Sequence, residues 1–336
     1  MKIAKNILKT FFAGMTAFAI LCGIMLFYSF IPSRVENSIG NTDYVYDSDN
    51  IWVRATEGIS FGKVDSNGFN NKNVIENPDI VVLGSSHAEA MNVYQNEDMT
   101  GLLNEKFGEK YSVYNMSISG HTFFKVVQYL PKTLSAFDNV PKYIIIETST
   151  TILPQKDVDM AINGTVAKTK VNSGLIAELQ KLPFLRQIYH QLDSGMMDML
   201  LSNQKQSGGA SSDSGTEEIV IDKTPYETMF SYLQKLEQEF NTQIIVMYHP
   251  FETLNADGSI GFSNKEFTEV FGDFAETYQI SFVDMTETFE TMFYNDHYVP
   301  HGFSTGALAE GHINRYGHSA IADRLYKFII DFEGAE

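Results

Sequence analysis

The 336-residue chain has a single cysteine, Cys22, and it falls inside an apolar N-terminal run. The remainder therefore has no disulfide, no thiol nucleophile and no Cys pair of zinc-site spacing. Basic residues are also scarce: 24 Lys and Arg stand against 42 Asp and Glu, a formal net charge of −18. Binding to nucleic acid needs cations clustered against phosphates, so a nucleic-acid partner is excluded. No carboxylate-rich run has calcium-loop character. His297-Tyr-Val-Pro-His301 has the spacing of a helical zinc pair, but Pro300 opposes a helix there, so no metal and no cofactor are expected. The chain also lacks internal repeats.

What is present begins with Phe11 to Phe30, an almost unbroken apolar run. At 1.5 Å rise per residue, ~20 residues cross the ~30 Å hydrocarbon core of a bilayer. Lys2, Lys5 and Lys9 precede the run and only Arg34 follows closely. The positive-inside rule then places the N-terminus in the cytoplasm and residues 33–336 outside, as a single-pass protein of the cell membrane. A cleaved signal peptide is the rival reading. The run ends Phe-Tyr-Ser-Phe-Ile-Pro, which suits cleavage poorly.

Residues 1–32 are thus expected to be a cytoplasmic tip and anchor, and the polar stretch 33–77 a stalk and lead-in. From Pro78 an α/β rhythm sets in. Asp79–Leu83, Tyr111–Ser117, Lys142–Glu147, Gln243–Tyr248 and Ile280–Asp284 read as short buried strands. Met99–Phe107, Phe123–Phe137 (with Pro131 as a kink), Pro225–Phe240 and Asn264–Tyr278 read as helices. Asn314 is expected to cap a last helix, with Ile321, Leu325, Phe328 and Ile329 as its apolar stripe.

An insertion at about 152–222 interrupts the rhythm of the 78–331 domain. It holds a helix from Gly174 to about Asn203, broken at Pro183, and a Ser/Gly/Gln-rich stretch, Gln204–Thr216, expected to be disordered. It reads as a lid or as surface decoration, with Met196-Met-Asp-Met199 in packing.

Five strands alternating with helices imply a parallel sheet covered on both faces, and such sheets bind ligands beyond their strands' carboxyl ends. Gly84-Ser85-Ser86-His87 follows the first strand. A serine there is held at the turn with its hydroxyl toward the crevice, although a simple N-cap serine would look the same. Ser117-Ile-Ser-Gly120 follows the second strand, and the Gly120 N–H is a candidate oxyanion donor. Gly311-His312-Ile-Asn314-Arg-Tyr-Gly317 precedes the last helix, where His312 is placed to act as general base. His87, His121 and His249 each follow a strand and are candidate substrate contacts.

These three blocks, in this order, resemble the SGNH hydrolases, the GDSL-like esterase and lipase family. Asp65-Ser-Asn-Gly-Phe69 is similar to a lead-in seen in membrane-anchored members. The resemblance implies a flavodoxin-like three-layer α/β fold with a five-stranded parallel sheet. It implies Ser86 as nucleophile, His312 as base, and the Ser86 and Gly120 N–H groups as oxyanion donors. Ser85 replaces the family's aspartate, as in members that assist cell-surface acyl transfer. The family's oxyanion asparagine is missing from Glu147-Thr-Ser-Thr-Thr151, leaving Ser149 or Thr151 to donate. The acid three residues before the histidine is Ala309, so Glu310 is the expected third member of a triad. Asp296 is the weaker candidate, and a Ser–His pair without an acid the remaining one.

The expected function is serine-dependent O-acyl, chiefly O-acetyl, ester hydrolysis or transfer on a cell-surface or exported polysaccharide or other envelope glycan. A multipass membrane O-acyltransferase is the partner the resemblance implies. The alternative is a non-catalytic envelope binding or assembly protein on the same fold; a soluble lipase comes third.

Overall fold

The structure, a computed structural model, describes residues 2–37, 40–55, 57–169, 171, 185, 220–303 and 308–335. The helix expected from Gly174, the methionine group 196–199 and the 204–216 stretch lie outside the described residues.

An apolar helix opens the chain, α1 (Lys2–Tyr28), and its stretch Ala4–Ile24 is long and apolar enough to cross a membrane. It runs directly into β1 (Ser29–Phe30). There follow β2 (Arg34–Glu36), β3 (Tyr44–Tyr46), β4 (Ile51–Arg54) and β5 (Ser60–Lys63). β1, β4 and β5 form one antiparallel sheet, in that order, and β2 pairs with β3.

The reading of 33–77 as a stalk is corrected here. Tyr44, Trp52 and Val64 are wholly buried, and with Tyr46 and Phe69 they join the main core. The polar residues that suggested an irregular stalk are engaged in holding backbone and neighbours, as Asp and Asn do in turns. Asp65 Oδ1 accepts from the Asn67 and Phe69 N–H groups, and its Oδ2 accepts from the Tyr114 hydroxyl and Asn71 Nδ2. Gly68 sits at φ +86°, and a Cβ there would press on the Tyr46 carbonyl at 2.5 Å.

The α/β part runs β6 (Ile80–Leu83), α2 (Ser86–Glu89), α3 (Met99–Phe107), β7 (Val113–Asn115), α4 (Phe123–Leu134), β8 (Tyr143–Thr148) and α5 (Gln155–Ile162). It resumes with α6 (Thr224–Phe240), β9 (Gln243–Tyr248), the hairpin β10 (Glu252–Leu254) and β11 (Ile260–Phe262), α7 (Lys265–Thr277) and β12 (Ser281–Asp284). It closes with α8 (Thr286–Thr291), a π turn at Met292–Asp296, β13 (His301–Gly302), β14 (Leu308–Ile313) and α9 (Arg315–Ala335).

Five strands form one parallel sheet in the order β12-β9-β8-β6-β7. Numbered along the sheet's own strands this is 2-1-3-4-5, the flavodoxin-like order, with the crossover point beside β6. Side chains alternate between its faces. Val81, Ile144, Ile146 and Val246 pack with α4, α6 and α7 through Leu130, Phe230 and Phe271. Ile80, Val82, Ile145 and Ile245 pack on the other face with α3 and α9 through Leu103 and Leu325. Three layers result. Pro131 is accommodated inside α4 without ending it.

Candidate active site

Each parallel strand delivers its following loop to one edge of the sheet. After β6, Ser85 is the N-cap of α2; its hydroxyl accepts from the His87 N–H and its own N–H donates to Glu147 Oε2 at 2.6 Å. A Cβ at Gly84 would collide with that same carboxylate, so the turn needs glycine there. Ser86 opens α2, and its Oγ lies 2.9 Å from His312 Nε2.

His312 is carried by β14, which pairs antiparallel with β13. Asn314 locks the following turn. Its Oδ1 accepts from the Tyr316 and Gly317 N–H groups, and its Nδ2 donates to the Val299 and Gly302 carbonyls. Gly317 is required because a Cβ would meet the Pro300 carbonyl at 2.5 Å.

The acid is Glu57, from the turn between β4 and β5. Its Oε2 is 2.7 Å from His312 Nδ1, and both side chains are partly exposed. Partial burial pushes the Glu57 carboxyl up, but the hydrogen bond and charge of His312 outweigh it and hold the group below the usual carboxylate range. Gly311, at φ +83°, lets the hairpin approach; a Cβ would stand 2.9 Å from Glu57 Oε1.

Glu310 is therefore not the acid: it is solvent-exposed on β14, and the imidazole turns its Nδ1 to Glu57 instead. An Asp-x-x-His turn does not form because Ala309, at φ +64°, and Gly311 twist a strand through this segment. Asp296 is exposed at the end of the π turn, apart from the imidazole's hydrogen bonds.

The oxyanion candidates divide. Gly120 is exposed at φ +85°, with open space where a Cβ would be. Thr151 is buried and engaged elsewhere, its hydroxyl 3.1 Å from that of Thr268 and its carbonyl accepting from Tyr226. Ser149 is partly buried just past β8.

Of the other histidines, His121 leaves the crevice. It is buried against Thr42 at 3.2 Å and stacks on Tyr129, and burial lowers its pKa to about 4. His87 and His249 remain. The His87 ring centroid is 5.0 Å from that of His312 and 4.7 Å from that of His249. Burial, then the neighbouring histidines, keep His87 neutral far below its ordinary titration. His249 Nε2 bonds Glu147 Oε1 at 2.7 Å. His301, from the spacing that Pro300 argued against, is also here, its Nδ1 2.6 Å from Glu252 Oε2. Burial lowers the His301 pKa, outweighing the Glu252 hydrogen bond that raises it.

A hydroxyl, an imidazole and a carboxylate in series define the class: an α/β protein with a Ser–His–Glu triad at the carboxyl edge of a parallel sheet. No protein-family model matches the chain, and no curated protein is significantly similar to it in sequence. Solved structures with a similar chain path include the psychrotrophic esterase EstA from Pseudoalteromonas sp., at 17% identity and TM-score 0.38, covering 76% of this chain and 98% of that one. A catalytic mutant of Axe2, an acetylxylan esterase from Geobacillus stearothermophilus, has 15% identity and TM-score 0.41 over 76% and 94%. A putative lipolytic protein of the G-D-S-L family from Desulfitobacterium hafniense has 13% identity and TM-score 0.38 over 75% and 99%. The chemistry below rests on the triad's geometry rather than on these likenesses.

Proposed function

We propose that the protein is a serine acyl enzyme of the SGNH type, an O-acyl and chiefly O-acetyl esterase or transferase acting on cell-surface or exported polysaccharide. The observation that carries this reading is the unbroken series Ser86 Oγ, His312 Nε2, His312 Nδ1 and Glu57 Oε2, with contacts of 2.9 and 2.7 Å.

Ser86 attacks the ester carbonyl while its proton passes to His312 Nε2. Glu57 keeps the proton of Nδ1 in place and stabilises the imidazolium. The Ser86 and Gly120 N–H groups receive the oxyanion. The leaving alcohol takes the proton from His312 as the acyl-Ser86 ester forms. Water, or a sugar hydroxyl, then gives its proton to His312 and attacks that ester, and His312 returns the proton to Ser86 Oγ as the acid or the new ester leaves. The apolar helix α1 and its lysines support an anchor with the catalytic domain outside the cell membrane, where envelope glycans are the available polymers. A multipass membrane O-acyltransferase as acyl donor fits that placement.

A fluorophosphonate probe tests the reading on the full chain in detergent. Labelling that Ser86→Ala abolishes supports it. No labelling of a folded sample overturns it in favour of a non-catalytic binding or assembly protein.

A further inference from the structure

Behind the triad lies a group of side chains that acyl transfer does not use. His249 and His301 are both fully buried, and each gives one ring nitrogen to a buried glutamate, at 2.7 Å to Glu147 and 2.6 Å to Glu252. Both glutamates accept on both oxygens: Glu147 also from the Ser85 N–H, Glu252 also from the His301 N–H. With each carboxyl ionised, the protons of these two contacts sit on His249 Nε2 and His301 Nδ1.

A neutral imidazole has one N–H. With both rings neutral and these protons facing the glutamates, His249 Nδ1 and His301 Nε2 are lone-pair nitrogens that face each other 3.3 Å apart. Two acceptors at that distance repel. Two nitrogens bound about 2.0–2.1 Å from one tetrahedral zinc stand about 3.3 Å apart, so a cation between them turns the repulsion into ligation. His87, half-buried, offers a third ring nitrogen, and the three ligand atoms lie within 4.8 Å of one another. The hydrogen bond to its ring, from the Ile313 N–H to Nδ1, is long at 3.4 Å.

Charge points the same way. Buried charges are paired or bind metals. Glu147 and Glu252 are both buried, and their hydrogen-bond partners among the described residues are imidazoles and backbone N–H groups rather than Lys or Arg. One divalent cation balances both. A carboxylate behind each ligating histidine is also the usual support that fixes the tautomer of a metal-bound imidazole.

We propose that His87, His249 and His301 form a three-histidine site for a divalent cation of the zinc class, supported by Glu147 and Glu252. His297, exposed at the end of the π turn, takes no part. Three protein ligands leave a fourth position for water or a substrate oxygen. Neither Ser86 Oγ nor His312 is among the ligands, so cation binding is read separately from acylation of Ser86.

The test uses the full chain without a histidine tag, purified in detergent and stripped with a chelator. Titration with Co2+ is expected to give one bound ion per chain with the visible absorption of a four- or five-coordinate site, displaced by Zn2+. His249→Gln and His301→Gln should each abolish that absorption. Because these buried changes can impair folding, Glu252→Gln provides a second arm: it should weaken Zn2+ about 10- to 100-fold, with near-UV circular dichroism showing that the fold is intact. Absence of stoichiometric Co2+ binding by the unaltered chain overturns the proposal, as does binding unchanged in both folded histidine variants or in folded Glu252→Gln.

Discussion

Glu57 Oε2 meets His312 Nδ1 at 2.7 Å although 255 positions separate the two residues in the chain. The triad is thus closed by the polar segment before the α/β domain, not by the histidine's own loop.

Glu57→Gln keeps the size of the side chain but removes the charge that orients and stabilises the imidazolium. Ester turnover, measured with p-nitrophenyl acetate, is expected to fall about 10²- to 10⁴-fold with little change in KM. Glu310→Gln, on the exposed side of β14, should leave turnover within about twofold, since a solvated side chain outside the Ser86–His312–Glu57 hydrogen bonds changes little.

Trp52 fills the core beneath the same hairpin and donates its indole N–H to Asn70 Oδ1 at 2.9 Å. Trp52→Ala should cost about 3–5 kcal/mol in urea unfolding. A stalk residue would give nearly zero, so the measurement separates the two readings of this segment.

Lys125 and Asp43 form a buried ion pair, with Asp43 also accepting from the Tyr129 hydroxyl and the Thr169 N–H. Burial pushes the Asp43 carboxyl up, but Lys125, Tyr129 and Thr169 together bring it down to about 2. Lys125→Met leaves the carboxylate unbalanced and should destabilise the fold by about 3–5 kcal/mol. Asp43→Asn with Lys125→Met should recover part of that loss, because the stranded charge is removed.

His121 and His318 are buried, and burial lowers their pKa values to about 4 and about 3. Below the ordinary histidine pKa of about 6.5 the unfolded chain takes up protons that the folded chain refuses. Their contribution to stability is thus complete above about pH 6.5 and is lost as pH falls toward 4 and 3. The melting temperature should drop over that range, and His121→Gln should flatten the drop without shifting its position upward in pH.

The sheet was legible because its strands are short apolar runs buried on both faces, such as Ile144-Ile-Ile146 and Ile244-Ile-Val246, and no other element reads that way. Ser86 and His312 were legible from their turns. Glu57 was not, because its role depends on a hairpin folding back over the sheet edge. The signal for that hairpin was present in Ile51-Trp-Val53 and Phe61, apolar and aromatic residues either side of a glycine-containing turn. Asn and Asp hid it, since their composition reads as loop until their hydrogen bonds are seen. The histidine group escaped for another reason: its members lie in α2, just past β9 and in β13, and no spacing along the chain joins His87, His249 and His301.

The short strand β1 leaves the apolar helix and pairs Ser29 with Arg54 and Phe30 with Val53, on the hairpin that carries Glu57. A version cut after residue 32 would strip an edge from that ribbon and should loosen the turn that brings Glu57 to His312. The apolar N-terminal helix therefore also acts, through β1, as a splint for the Glu57 turn.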